Sequence, residues 1–268
     1  MLPLRAVGDS NGAGMGGEIE RLALVAAIAL FCLPLERLWP ARARAAPSWQ
    51  RYRTDLLHVV VGGAVIRAGT VLAISACLGV LPSAPVAARL PLWAQVPAIL
   101  LLSDFAFYLA HRACHAVPLL WRFHRIHHSS PHLDWLAAYR VHPVDQILNA
   151  TLIALPALML GFSAQAVIIY GTVYHLHAIL LHSNVRFGFG PLGRIVASPR
   201  FHHWHHAHHE AAIDRNFGGQ LAIWDRLFGT ALDRDRFPDS YGTDELPRES
   251  FLAHLVAPLL PRPKSWKT

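Results

Sequence analysis

The sequence is short of charge. Only 15% of its 268 residues are Asp, Glu, Lys or Arg, while 53% are apolar. A soluble domain usually carries about 25% charged residues, so the deficit points to a chain that lies largely in lipid. Lysine is nearly missing, since 22 of the 24 basic residues are Arg. On a soluble protein a formal charge of +7 would suggest nucleic acid. In an apolar chain the arginines instead decorate loops that meet anionic headgroups, and no nucleic-acid partner is expected. Cysteine is scarce too. Cys32, Cys77 and Cys114 lie in or beside apolar stretches without CxxC spacing, which argues against a disulfide framework and a cysteine zinc site. Residues 1–17 are Gly-rich and show neither a basic n-region nor a cleavage site, so they read as a disordered tail rather than a signal peptide. Internal repeats are absent.

Four apolar blocks are present, at 19–35, 56–81, 90–110 and 147–181. The first is short for a span of about 20 residues. The second is long enough but contains Arg67, which is expected to face the bundle interior or mark a bend. The third is a full span. The fourth is too long for one span, and Pro156 and Gly161 near its middle predict a helical hairpin. The fold class is therefore all-α, an integral-membrane helical bundle of about four to five segments with a His-rich helical cap. Arg37, Arg42, Arg44, Arg51 and Arg53 crowd the loop before the second block, and the positive-inside rule places that loop in the cytoplasm. Counting crossings from it puts 111–146 and 182–268 on the same side. The organisation reads as a tail (1–17), membrane helices (18–99), a His-rich unit (100–232) and a C-terminal cytosolic tail (233–268).

Histidine breaks the pattern of scarcity. Of 18 histidines, all but His58 and His254 fall between 111 and 209. Asp104, Tyr108, His111 and His115 follow at spacings of 4, 3 and 4, which places them on one helix face. Two imidazoles one turn apart can share a metal, and Asp104 and Tyr108 could orient a ligand imidazole. His124, His127 and His128 form an HxxHH cluster beyond Pro118, where the chain is expected to turn. His202, His205 and His206 form a second, entered through Ser198-Pro199, a helix start with Ser as N-cap and Pro in the first turn. These three histidines are expected to group on one side of that helix. At this histidine frequency one HxxHH is expected by chance roughly 0.08 times, so two of them are a specific signal.

Single histidines carry less. A lone histidine is more often a hydrogen-bonded core or surface group than a ligand. His182 at the end of the fourth block is read as a ligand because it adjoins the clusters. His142, before Pro143, stands between the two readings. His177 lies about 140° from His182 on a regular helix and reaches the site only through a bulge or a frayed end, whereas His175 shares the face of His182. His203, His208 and His209 read as extras in a His-rich helix, although His209 shares the face of His202 and His206. His132 reads as a loop residue. Eight clustered histidines plus His182 exceed one tetrahedral site and suit two metals, and imidazole alone leaves Zn, Cu, Fe and Ni open.

The order HRxxH, HxxHH, HxxHH, together with the linking segments 103–115, 123–129, 134–143, 182–185, 198–202, 214–218 and 224–230, resembles the fatty acid hydroxylase/sterol desaturase superfamily, in the layout of its short bacterial-type members. The resemblance covers about residues 100–232. It implies a cytosolic cap holding two iron ions and O2-dependent hydroxylation or desaturation of a membrane lipid. It carries over His111, His115, His124, His127, His128, His182, His202, His205 and His206 as ligands, with His142 and His177 beside them and Asp104 as an orienting residue. His203 is an added histidine within the last motif. No HPGG haem-binding motif is present, so the resemblance implies electrons from a separate reductase or small electron carrier. Sterols, fatty acyl chains, ether lipids and carotenoids remain open as substrates, as does the oligomeric state. Three rivals fit less well. A zinc hydrolase would want HExxH, which does not occur. A bis-histidine haem carrier would pair histidines across spans. A metal-binding or transport protein without catalysis would extend its His-rich tract through His208 and His209.

Overall fold

The computed structural model describes residues 13–43, 48–243 and 249–260. Its regular elements are helical, and no strand occurs among the described residues; three isolated bridges, such as Pro40 with Val185, pin loops together. Helix α1 (Ala13–Leu38) contains the first apolar block and starts inside the segment read as a tail, whose residues 1–12 lie outside those described. Its Ile28 and Cys32, one turn apart, pack on Trp135, Leu136 and Ile179.

Helices α2 (Trp49–Leu57) and α3 (Gly63–Val80) are joined by a π-helical turn at His58–Gly62, so Trp49–Val80 runs as one element long and apolar enough to cross a membrane. The extra residue of a π turn re-aims a helix. Arg67 lies one turn beyond it and is exposed on α3, so it does not face the bundle interior. Helix α4 (Leu92–Ala116) is a second candidate span and α7 (Ala164–His182) a third. The apolar α6 (Pro143–Met159) is shorter. Together α6 and α7 make the expected hairpin. Pro156 sits in the last turn of α6 and Gly161 takes φ +71° at the bend, a conformation open to a residue without Cβ. Gly69 lets α3 approach α6, because a Cβ there would collide with Ile147.

The bundle has two ends. At one, residues 84–87 bond to the α6–α7 turn, with Ala84 N–H on Met159 O at 2.8 Å, and Gln95 accepts from Ser163 N–H at 2.8 Å. At the other lie the start of α2, the end of α4, the start of α6 and the end of α7. The His-rich cap covers this end with α5 (Pro118–His124), α8 (Pro199–His205) and α9 (Ile223–Leu227). The described residues 249–260 of the C-terminal segment pack on the cap. Helix α10 (Phe251–Val256) returns to the cap, where His254 Nδ1 meets His58 Nε2 at 3.1 Å and Arg125 donates to Ala257 O at 3.2 Å. Residues 261–268 lie outside those described.

Candidate metal centre

As the spacing predicts, α4 carries Asp104, Tyr108, His111 and His115 along one buried face. Pro118 starts α5 and turns the chain back, so His124 at its end reaches the same place. The chain then tightens into a 3-10 turn at His127–Ser129, which sends His127 and His128 in different directions. Ser198 caps α8 by accepting from Phe201 N–H at 3.2 Å, with Pro199 in the first turn.

Nine histidines converge into two groups. His111, His115, His124, His128 and His205 form the first; His127, His182, His202 and His206 form the second. Within each, the potential ligand atoms lie within 4.8 Å of one another, close to the roughly 4.2 Å limit for two nitrogens each about 2.1 Å from one ion. Each HxxHH cluster is divided between the groups. His202, His205 and His206 therefore do not group on one side as the spacing suggests, since His205 turns to the first group and the other two to the second.

Hydrogen bonds fix which nitrogen is free in five of the nine rings. A carbonyl only accepts, so Nδ1 carries the proton in His111 (to Phe217 O, 2.7 Å), His205 (to Arg215 O, 2.8 Å), His127 (to Arg140 O, 3.2 Å) and His182 (to Ala178 O, 2.7 Å). The Asp145 carboxylate does the same for His124 Nδ1 at 3.1 Å. Each Nε2 is then a bare lone pair. Yet His111 Nε2 stands 3.1 Å from His124 Nε2, and His127 Nε2 stands 3.1 Å from His182 Nε2. Lone pairs so placed repel unless a cation lies between them. His115 Nε2, His128 Nε2 and His205 Nε2 are also buried without a hydrogen-bond partner, an arrangement that costs about 1–3 kcal/mol per group when nothing binds it. The donor set fits a pair of divalent metals that take imidazole.

Burial, followed by the neighbouring imidazoles, holds His127, His128, His202 and His206 well below the usual histidine range, and burial, opposed by the bond to Arg215 O, holds His205 at about 3. They are neutral at pH 7, as ligands must be. Below pH 6.5 the unfolded chain binds more protons than the folded one, so acid destabilises the fold. Metal-free protein is expected to show a falling thermal midpoint from pH 7 to pH 5. A flat or rising midpoint would contradict the neutral, buried state of these rings.

The carbonyls that orient the rings are themselves held. Asp104 touches no imidazole; it accepts from Gln220 N–H at 2.6 Å, Leu221 N–H at 3.0 Å and Trp224 Nε1–H at 3.0 Å. Asp225 accepts from Phe217 N–H and Gly218 N–H at 2.8 and 2.7 Å. Asn216, at φ +61°, donates to Phe201 O and Leu232 O. The two carboxylates thus clamp the loop that presents Arg215 O and Phe217 O to His205 and His111. On the other side, the buried Arg140, whose carbonyl orients His127, is fixed by an ion pair with Asp55 at 2.6 Å.

His142 and His177 lie outside both groups. His142 caps α6, accepting from Val144 N–H at 3.1 Å through Nδ1 and donating to Leu255 O at 3.2 Å through Nε2, so both nitrogens are engaged. His177 donates to Ala197 O at 3.0 Å, and no bulge brings it round. His175 pairs with the Tyr139 hydroxyl, and His209 caps a short turn at the surface. His203 is no surface extra. It is wholly buried, donates to Ser183 O at 3.0 Å and accepts from the Tyr241 hydroxyl at 2.7 Å. Sequence reasoning missed Asp145. The signal was a carboxylate and an amide, Asp145 and Asn149, one turn apart on a largely apolar helix.

The comparisons agree with this geometry. Residues 96–230 match the fatty acid hydroxylase family. The chain is 32% identical over 254 residues to an ornithine lipid hydroxylase of Rhizobium tropici, covering 90% of this chain and 75% of that protein. It is 36% identical over 128 residues to human alkylglycerol monooxygenase, covering 47% of this chain and 28% of that protein. A Caenorhabditis elegans alkylglycerol monooxygenase is 32% identical over 144 residues, covering 53% and 28%. No solved structure matches. The chain belongs to the fatty acid hydroxylase family, within the fatty acid hydroxylase/sterol desaturase superfamily of membrane oxidoreductases.

Proposed function

We propose that the chain hydroxylates a membrane lipid, using O2 and two iron ions held by its two histidine groups. The observation that carries this reading is the convergence of nine buried or half-buried histidines, with lone pairs aimed at one another, where α4 and α7 end. Bound iron would supply the activation of O2 and the attack on an unactivated C–H bond. The chain's own part is structural and electrostatic. Five histidines would hold one ion and four the other. Asp145 and the carbonyls of Arg140, Ala178, Arg215 and Phe217 keep Nε2 free and the ring aimed in His124, His127, His182, His205 and His111. Burial of the rings beneath the cap keeps water away.

We favour hydroxylation over desaturation because the relatives are named as a hydroxylase and monooxygenases. An ornithine lipid is the first substrate to try, because the relative that spans nine tenths of this chain is named for one. The arginines of the loop after α1 support a cytoplasmic cap, where a separate reductase or small electron carrier would deliver electrons. The test is an 18O2 pulse given to cells with and without the protein, followed by lipid mass spectrometry. A lipid gaining one 18O atom is expected. A product whose oxygen comes from water, or one that has lost two hydrogens instead, would contradict hydroxylation.

A further inference from the structure

We propose that the outer face of α8 holds a pocket for the oxyanionic headgroup of a membrane lipid, separate from the metal centre. Helix α8 has two faces. Its ligand histidines look inward, while Phe201 and Trp204 back onto a cavity of about 510 Å3. Arg194, Arg200, Arg226 and Arg234 line this cavity, together with Asp233 and Asp235. Asp233 is engaged by Arg226 in two bonds of 2.8 Å. Arg200 donates to Asp235 O at 3.1 Å, and the Arg234 guanidinium lies 5.9 Å from the centre of the Trp204 ring. Four cations against two anions leave a net positive lining, and planar guanidiniums suit phosphate or carboxylate oxygens.

The walls of the pocket place it at the membrane surface. Residues 189–197 run beside α7, where Phe189 stacks near His177 and His177 bonds to Ala197 O. Helix α9 and Phe228 run beside α4, with the Trp224 and Phe228 rings 4.9 and 6.0 Å from Phe105. His177 and Phe105 precede the ligands His182 and His111 by five and six residues, so these walls reach roughly 8–9 Å toward the membrane from the ligand level. The two walls meet where Arg226 Nε–H donates to Arg194 O at 2.8 Å.

On the segments that flank the pocket, next in sequence to its lining residues, Leu192, Ile195, Leu227 and Phe228 are 56%, 52%, 66% and 46% exposed. Apolar tips beside guanidiniums are the pattern of a segment lying in the interface, with the tips among acyl chains and the cations at the headgroups. A soluble anion would use only the arginines. A lipid would use both features, and that decides the occupant.

The test uses the purified full-length protein in detergent, titrated with dioctanoyl phosphatidic acid, dioctanoyl phosphatidylcholine or inorganic phosphate and followed by intact-complex mass spectrometry. The wild type is expected to prefer the phosphatidic acid. Joint Arg194→Gln and Arg234→Gln substitution should weaken that binding about tenfold or more, with metal content and thermal midpoint unchanged. The paired lysine variant, which keeps the charge without the planar fork, should fall between the two. Equal affinity in the Gln variant, or equal binding of phosphatidylcholine, would overturn the proposal. Equal binding of inorganic phosphate would assign the pocket to a soluble oxyanion. Unchanged lipid binding with loss of reduction by an electron carrier would assign the arginines to an acidic protein instead.

Discussion

His205→Ala is expected to remove turnover down to background while the chain still folds. Its Nδ1–H is committed to Arg215 O, and its Nε2 is buried inside the five-histidine group without a partner. Alanine leaves no lone pair to replace it, so an ion held by that group would lose a donor. The adjacent His203→Ala should behave in the opposite way. His203 binds Ser183 O and the Tyr241 hydroxyl rather than a ligand position. Its loss empties a filled site and strands both partners, at a cost of about 2–4 kcal/mol in stability. Activity per folded molecule should largely remain. Thermal unfolding, metal content and product formation, measured on both variants, separate the two effects. Equal loss of metal from both would place His203 in the site and contradict the assignment.

Asp145→Asn is expected to weaken metal retention and lower turnover about 10–100-fold, the usual range for partners of metal-bound imidazoles. Among the hydrogen bonds that fix the rings, His124 is the one backed by a carboxylate; His111, His127, His182 and His205 are backed by neutral carbonyls. Asp145 is held in turn, with its other oxygen accepting from Asn149 Nδ2–H at 2.9 Å and from the Cys114 thiol at 3.5 Å. Asparagine keeps the shape and an accepting oxygen but removes the charge that makes His124 a stronger donor. Chelator competition reads the result: the variant should release metal from one site more readily while the second site holds. Retention equal to wild type at both sites would mean that Asp145 only supports packing.

How far the sequence discloses this site depends on the kind of signal. Regular spacing on a regular helix is legible, so Asp104, Tyr108, His111 and His115 fall on one face of α4 as read. Turn chemistry is legible too: Pro156 and Gly161 mark the hairpin, and Ser198-Pro199 marks the start of α8. The division of each HxxHH cluster is not, because it depends on a 3-10 turn at His127 and on α8 ending at His205. Nor can a sequence name the carbonyls of Arg140, Ala178, Arg215 and Phe217 as acceptors, since every residue carries one. The resemblance brought in His142 and His177 with the other histidines, yet bonds to the sequence-remote Leu255 O and Ala197 O take them elsewhere. The C-terminal segment looked like a tail because its contacts, His254 with His58 and Ala257 with Arg125, are remote in sequence.

The most direct test of the account is the metal content of active protein purified after iron-supplemented expression. Overexpressed protein can fill with zinc, which stands above iron in the divalent affinity order, so iron and zinc are counted alongside turnover. The account predicts about two irons per chain at full activity, one for each histidine group. One iron per chain at full activity, or turnover supported by zinc alone, would contradict it.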